Sequence, residues 1–257
     1  MRCIFCKADS SGSKAVEHII PESLGNIEHV LPVGVVCDSC NNYFSRKIEK
    51  PLLESDYFRH ARSMNGVHNK RGRVPSVLAF HSQSLLWVEM CRDEYGLSLW
   101  AANDGESDVF TKSLLTHKTG TLRIPVPHQP DEYTFARFLG KVALEVAADR
   151  VMKVPGGLNE IIDKKELDEL RSYVRYGKPG ATWPFHSREI YPEGRLFFAE
   201  DVYEALHEYT LLYTEAKELY LILAIFGIEY AINLGGPEIS GYVAWLEQHE
   251  NTSPLYL

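Results

Sequence analysis

Apolar and polar positions along this chain follow two periods, and the elements can be read where the period switches. Leu85-Leu86-Trp87-Val88-Glu89-Met90-Cys91 and Leu97-Ser98-Leu99-Trp100 flank Asp93-Glu94-Tyr95-Gly96, which predicts a hairpin. Leu122-Arg123-Ile124-Pro125-Val126 reads as an edge strand, because a proline cannot donate to a ladder. Phe135, Phe138, Leu139, Val142, Ala143 and Val146 then recur at helical spacing behind Asp131, a good N-cap residue. A second helix is expected over about Asp163 to Tyr176, with Leu167, Leu170 and Val174 on its apolar side and Gly177 as its stop. Between Glu200 and Leu234 the period returns to that of strands: Tyr209 to Tyr213, a turn at Glu215 to Glu218, Leu219 to Phe226, and Ile228 to Leu234. Gly235-Gly236-Pro237 closes the run.

The pattern before residue 75 differs. Val35-Val36 leads into a cysteine pair. A helix is expected to start near Asn41, with Asn41 and Asn42 able to cap it, and to continue through Phe44, Lys47 and Ile48. Pro51 should break or kink it. Arg71-Gly72-Arg73-Val74-Pro75 has the composition of a boundary. The expected organisation is therefore a small unit over 1–75 and a larger unit over 76–257, the latter α+β with a mainly antiparallel sheet and two helices.

With 257 residues, 45% of them hydrophobic and 24% charged, the chain can bury a substantial core and needs no long disordered tail. The longest strongly apolar stretch, Leu219 to Leu234, is interrupted by Gly227 and Glu229 and falls short of the roughly 20 residues of a membrane span. A soluble protein is expected. Met1-Arg2-Cys3 leaves no room for a signal peptide, which points to the cytoplasm.

Cysteine usage carries the chemistry. Cys3-Ile-Phe-Cys6 and Cys37-Asp-Ser-Cys40 are two C-x-x-C pairs, and the fifth, Cys91, has no such partner and reads as a small buried apolar residue. In a reducing compartment two such pairs suit one tetrahedral Zn²⁺ better than disulfides, since each tight turn offers two sulfurs to the same ion. Between the pairs lies Val16-Glu17-His18-Ile19-Ile20-Pro21, and Asn41 directly follows the last cysteine. A carboxylate beside an imidazole on a metal-stapled loop suits hydrolysis of a phosphodiester with a divalent ion.

Charge sharpens the picture. The net charge is −8, which argues against wholesale coating of DNA, but residues 1 to 75 hold 11 Lys and Arg against 8 Asp and Glu. Arg46, Lys47, Lys50, Arg59, Arg62, Lys70, Arg71 and Arg73 crowd the segment downstream of the knuckles. Of these, Arg46, Lys47, Arg59, Arg62, Arg71 and Arg73 are the candidate phosphate contacts. The acidic remainder suits a homodimer contact or a protein partner.

The order Cys-x-x-Cys, Glu-His-Ile-Ile-Pro, Cys-x-x-Cys-Asn resembles the HNH endonucleases of the ββα-metal (His-Me finger, treble-clef) type, in particular the zinc-stapled, endonuclease VII-like subclass. The resemblance covers about 60 residues and implies a zinc-stapled ββα-metal unit at the N-terminus. It implies that His18 is the general base that deprotonates water, and that Glu17 and Asn41 hold Mg²⁺ or Mn²⁺ against a scissile phosphate in DNA, with RNA left open. Two family positions differ here. The hairpin asparagine is absent from Glu28 to Gly34, with Asn26 the nearest amide, and no histidine lies one turn after Asn41, where Ser45 stands. Asn42, Ser45 and Glu49 are unranked substitutes. Those gaps define the competing reading, a catalytically degenerate zinc module that binds nucleic acid or a protein without turnover.

Overall fold

The computed structural model describes residues 1–69, 71–117, 119–177, 182–190 and 207–257. Two compact units emerge: Met1–Leu52 with Asp131–Leu257, and Leu53–Pro130. The boundary expected near residue 75 falls inside the second of these, and part of the strand character expected from Glu200, like Lys70, lies outside the described residues.

The larger unit begins with a short antiparallel pair, β1 (Glu17–His18) and β2 (Val30–Leu31), in which Glu17 faces Leu31 and His18 faces Val30. Helix α1 (Asp38–Phe44) follows, capped by Cys37 in extended backbone. The expected capping by Asn41 and Asn42 is thereby corrected: both lie inside the helix. Pro51 leaves its mark as a change of helical geometry. Its ring cannot donate and crowds the carbonyl four residues back, and just before it the helix widens into a π turn, Ser45–Glu49, in which the Lys50 amide reaches Ser45 O. Helix α2 (Lys50–Glu54) resumes the α geometry.

The chain returns to this unit as α5 (Glu132–Val151), whose N-cap Asp131 accepts the Thr134 amide at 2.9 Å. Helices α6 (Gly157–Asp163) and α7 (Asp168–Tyr176) follow; α7 is the helix expected over about Asp163 to Tyr176, starting later behind a 3₁₀ turn at Lys165–Leu167, and α6 before it was not expected. A four-stranded antiparallel sheet has the order β7 (Phe185–Glu189), β10 (Ile228–Asn233), β9 (Leu219–Ile225), β8 (His207–Tyr213). Helix α5 packs on one side of β8, β9 and β10, while Tyr242 and Leu246 of the C-terminal helix Ser240–Gln248 join Tyr220, Ile222 and Ala231 in another core cluster. Trp183, Tyr220 and Tyr230 are core residues of this unit.

Helix α5 is buried around almost its whole circumference, from Phe135 to Ala148. Besides the sheet it meets α6, α7 and the Ser45–Glu49 turn. Gly140 allows the close approach to α7, since a Cβ there would stand 2.7 Å from Val174 and 2.9 Å from Leu170. This embedded helix places charged side chains inside the protein.

The smaller unit contains α3 (Asp56–Met64), α4 (Ser107–Thr116) and a second antiparallel sheet. Its strand order is β5 (Gly96–Ala101), β4 (Leu86–Asp93), β3 (Val77–His81), β6 (Leu122–Arg123). The expected hairpin and edge strand are both present. One face of the sheet packs Ala79, Val88, Met90 and Ala101 against Met64 and Phe110. The architecture is α+β with antiparallel sheets, and it contains more helices than the two expected after residue 76.

Candidate functional site

The first cysteine pair sits on a tight knuckle. The Cys3 amide donates to Ala8 O and the Lys7 amide to Cys3 O, each at 2.9 Å, and Lys7 takes the left-handed conformation that closes the turn. The Ile4 amide reaches Val35 O at 3.0 Å, fastening the two knuckles together. Gly34 has a φ of +93°, and a Cβ there would meet Met1 Sδ and Ser10 O at 3.0 and 3.1 Å, so the second knuckle needs glycine. Asp38 then accepts the amides of Lys14 and Ala15, which ties the approach to β1 onto α1 and holds the Asp38 carboxyl below its ordinary value.

These turns bring one ligand atom each from Cys3, Cys6, Cys37 and Cys40 within 4.8 Å of one another. Cys6 and Cys37 are 3.7 Å apart, sulfur to sulfur. A tetrahedral zinc with Zn–S bonds of about 2.3 Å separates its sulfurs by about 3.8 Å. No disulfide joins the four thiols, and their spacing and soft donor set fit zinc. Donation from the Cys40 thiol, aided by the amides of Cys6, Cys37 and Phe5 and opposed by burial, brings Cys3 down to about 4, while Cys40 is correspondingly raised. Cys91, in the other unit, is buried as expected, and burial raises its thiol.

The knuckles are anchored from behind. Arg171 of α7 donates Nε to Ile4 O at 2.8 Å, Lys7 pairs with Asp168 at 2.6 Å, and Arg2 pairs with Asp163 at 2.7 Å. Arg137 of α5 donates to the hydroxyl of Tyr43 at 2.7 Å, and the Arg175 guanidinium lies 4.0 Å from the Tyr43 ring centre.

Between the knuckles, Asn26 is fully buried and organises the loop from Ile20 to His29. Its Nδ2 donates to Ile20 O and His29 O at 2.6 and 2.9 Å, and its Oδ1 accepts the amides of Glu28 and His29 at 3.1 and 2.8 Å. Among the substitutes for the absent hairpin asparagine, Asn26 therefore fixes this loop. His29 Nδ1 meets the Tyr209 hydroxyl at 3.0 Å, so this histidine contacts the C-terminal sheet.

β1 places Glu17 and His18 side by side in the chain. His18 is half-buried, and its Nδ1 is shielded from solvent with no hydrogen-bond partner among the described residues. Asn41, on the first turns of α1, donates Nδ2 to Val16 O at 3.1 Å, which sets its amide against the start of β1. Glu17 points inward and is 5% exposed. Its Oε1 lies 2.7 Å from Lys141 Nζ of α5, and its Oε2 is buried with no hydrogen-bond partner among the described residues.

Lys141 was not anticipated as a site residue, and neither was Glu145. The Lys141 ammonium is fully buried and lies 3.0 Å from both Glu49 Oε1 and Glu145 Oε2, and it donates to His18 O at 3.2 Å. Burial alone would lower Lys141, but Glu145, Glu17 and Glu49 raise it well above the usual lysine value. Burial raises Glu145 well above the carboxylate range and raises Glu17 as well, with Lys141 opposing in each case. Glu49, one of the substitutes noted in the sequence, thus joins this cluster.

The basic candidates separate. Arg46 and Lys47 are exposed on the π turn of the larger unit. Arg59, Arg71 and Arg73 are exposed on the smaller unit, where Arg59 lines a cleft with Asp56, His60 and Glu89. Arg62 is 7% exposed, its Nε is buried with no partner among the described residues, and burial lowers its pKa. Its burial corrects the expectation of a phosphate contact on the surface.

Residues 3–56 match the model of the HNH endonuclease family. The match and the four-cysteine cluster together fit an HNH-type zinc module over this segment. No curated protein and no solved structure matches the chain. No helix among the described residues is long and apolar enough to cross a membrane.

Proposed function

We propose that this protein is a metal-dependent endonuclease hydrolysing phosphodiester bonds of DNA, of the endonuclease VII-like subclass, with His18 as its general base. One observation carries the reading. Glu17 and His18 on β1, and Asn41 on α1 with its amide on the Val16 backbone just before β1, all lie inside the segment that matches the HNH endonuclease family.

The chemistry follows from the side chains. The His18 imidazole, whose Nδ1 has no partner among the described residues, is suited to take the proton of an attacking water near neutral pH. The unpartnered Glu17 Oε2 and the amide oxygen of Asn41 are hard oxygen donors of the kind Mg²⁺ or Mn²⁺ prefers. Such an ion, when bound, neutralises charge developing on the leaving oxygen. Asn41 is held to the Val16 backbone, so its position relative to β1 does not depend on a flexible loop. Arg46 and Lys47, one turn or more beyond Asn41 and exposed, supply cations for flanking phosphates. Zn²⁺ stays at the four sulfurs as scaffold. The protein works in the cytoplasm, and its acidic sheet region serves a second copy or a protein partner.

The test is incubation of the full chain with supercoiled plasmid across a Mg²⁺ and Mn²⁺ titration, beside Glu17→Ala and Asn41→Ala. Wild type nicks only with added ion, and both variants need far more of it or fail. Ion-independent cutting, or full activity in Glu17→Ala, sinks the mechanism. Complete inactivity with retained DNA binding favours the degenerate module, a reading motivated by the family positions that differ here.

A further inference from the structure

Helices α3 and α4 close one face of the sheet in the smaller unit, where Met64 and Phe110 meet Ala79, Val88, Met90 and Ala101. Strand alternation sends the intervening residues to the opposite face. There β3 carries Leu78 and Phe80, β4 carries Trp87 and Glu89, β5 carries Trp100, and β6 carries Arg123. The register sets them in two rows: Trp100 beside Glu89 beside Leu78, and Trp87 beside Phe80 beside Arg123. Leu78, Trp87 and Trp100 are 49%, 48% and 41% exposed.

Two tryptophans half in water on one face leave a large apolar area uncovered, and such a patch marks a contact surface. Phe80 meets Trp87 edge to face, with ring centres 5.6 Å apart, so the Trp87 ring is braced ahead of any ligand. Trp87 and Trp100 are diagonal neighbours across β4 and β5, which places their Cβ atoms about 7 Å apart. Two flat rings therefore stand side by side.

Charge indicates what covers them. Residues 53–130 hold 9 Lys and Arg against 8 Asp and Glu, whereas the rest of the chain holds 18 against 27. Arg123 stands exposed on the open face itself. Leu78 and Glu89 of that face also line the cleft of about 360 Å³ that contains Arg59, His60 and His128. The acids of the face are engaged within it: Glu89 accepts the Ser76 hydroxyl at 2.6 Å, and Asp93 accepts that of Ser98. Rings flanked by guanidinium groups suit an unpaired strand, whose bases stack on aromatics and whose phosphates take arginine. A duplex keeps its base faces stacked inside and has nothing to lay on them. The same chain carries a segment that matches the HNH endonuclease family, which gives a nucleic acid reason to meet this surface.

We infer that the open sheet face of the smaller unit is a stacking platform for an unpaired DNA strand. Trp87 and Trp100 receive bases, and Arg123 and Arg59 receive phosphates. The inference rests on the reading of the chain as a nuclease of DNA and names the form in which the DNA is held. It involves neither His18 nor Glu17.

The experiment is fluorescence anisotropy on the full, zinc-loaded chain without added divalent ion. The probes are a labelled DNA single strand and the duplex of the same sequence. Wild type should prefer the single strand. Trp87→Ala and Trp100→Ala should each weaken that binding by about fivefold or more, with duplex affinity and urea midpoint unchanged. Trp87→Phe, which keeps a ring, should retain most of the affinity and serves in place of the alanine variant if that one is misfolded. Arg123→Gln should lower the salt slope for the single strand by about 0.7. Single-strand affinity at the wild-type value in both alanine variants overturns the platform, while His18-dependent plasmid nicking leaves the proposed function standing. A dimer in sedimentation that both alanine variants dissociate, with single-strand affinity unchanged, assigns the face to a second copy and also overturns it. Tryptophan-dependent single-strand binding without His18-dependent nicking supports the platform and removes the proposed function.

Discussion

The larger unit holds two charge-dense centres, and they are assembled in opposite ways. The sulfur centre draws on two short turns, each of which delivers a pair of ligands by local backbone hydrogen bonds. The carboxylate–ammonium centre draws one residue from β1, one from the π turn and two from α5, more than a hundred positions along the chain. The sulfurs are spaced for one tetrahedral ion, whereas the second centre gathers its acids around the Lys141 ammonium. A local motif can build a scaffold. Placing charge beside His18 takes the rest of the fold.

Removing the sulfur centre should have the largest effect. Structural zinc contributes on the order of 10 kcal/mol to modules that fold around it. Chelation, or Cys40→Ser, should therefore unfold the N-terminal module, seen as loss of one equivalent of zinc and of protection in amide exchange over residues 1–50. Retention of that protection without zinc would remove the distinction between scaffold and site.

The second centre should respond less. Stripping the ammonium from buried acids costs roughly 3–5 kcal/mol, so Lys141→Met should lower the urea midpoint clearly while zinc content stays at one equivalent. An unchanged midpoint would mean that the acids are not buried together in solution.

Surface charge should matter less again. Arg46→Gln and Lys47→Gln should each reduce the slope of log affinity against log salt for duplex DNA by about 0.9, with folding unaffected. A slope unchanged in both variants would take the π turn out of the DNA interface. Arg62→Gln, by contrast, should leave the slope alone.

The smallest effect belongs to the clamp behind the first knuckle. Lys7 and Arg171 hold the Asp168 carboxyl below its ordinary value. A lowered carboxyl pKa contributes stability above the unfolded value of 3.8, which is lost as pH falls through the folded pKa. Asp168→Asn should thus cost about 1 kcal/mol or less near neutrality. The difference from wild type should begin to shrink below pH 3.8 and vanish once pH has fallen through the lower, folded pKa. A difference that persists in strong acid would mean that packing, not charge, explains it.

How much of this was legible before the structure depended on the range of the interaction. The knuckles, the β4–β5 hairpin, the helix behind Asp131 and the strands from Tyr209 onward were readable because local spacing determines them. Lys141 and Glu145 were not, because on a helix with an apolar face they read as its solvated side. A signal was present in the composition of that side. Ala136, Gly140, Leu144, Ala147 and Ala148 make α5 small and apolar nearly all round, and a helix of that kind is buried with its charges inside. Arg62 misled for the related reason that a basic run says nothing about which of its members turn inward. The chain's return from the smaller unit to the larger at Asp131 is a long-range connection, and no local boundary marker at Pro75 could report it.

The most direct test of the division between scaffold and chemistry is to measure zinc content and Mn²⁺-dependent plasmid nicking on one preparation of His18→Ala beside wild type. The account predicts one equivalent of zinc and an unchanged unfolding midpoint in both, with nicking abolished in the variant. Undiminished nicking by zinc-replete His18→Ala would contradict it.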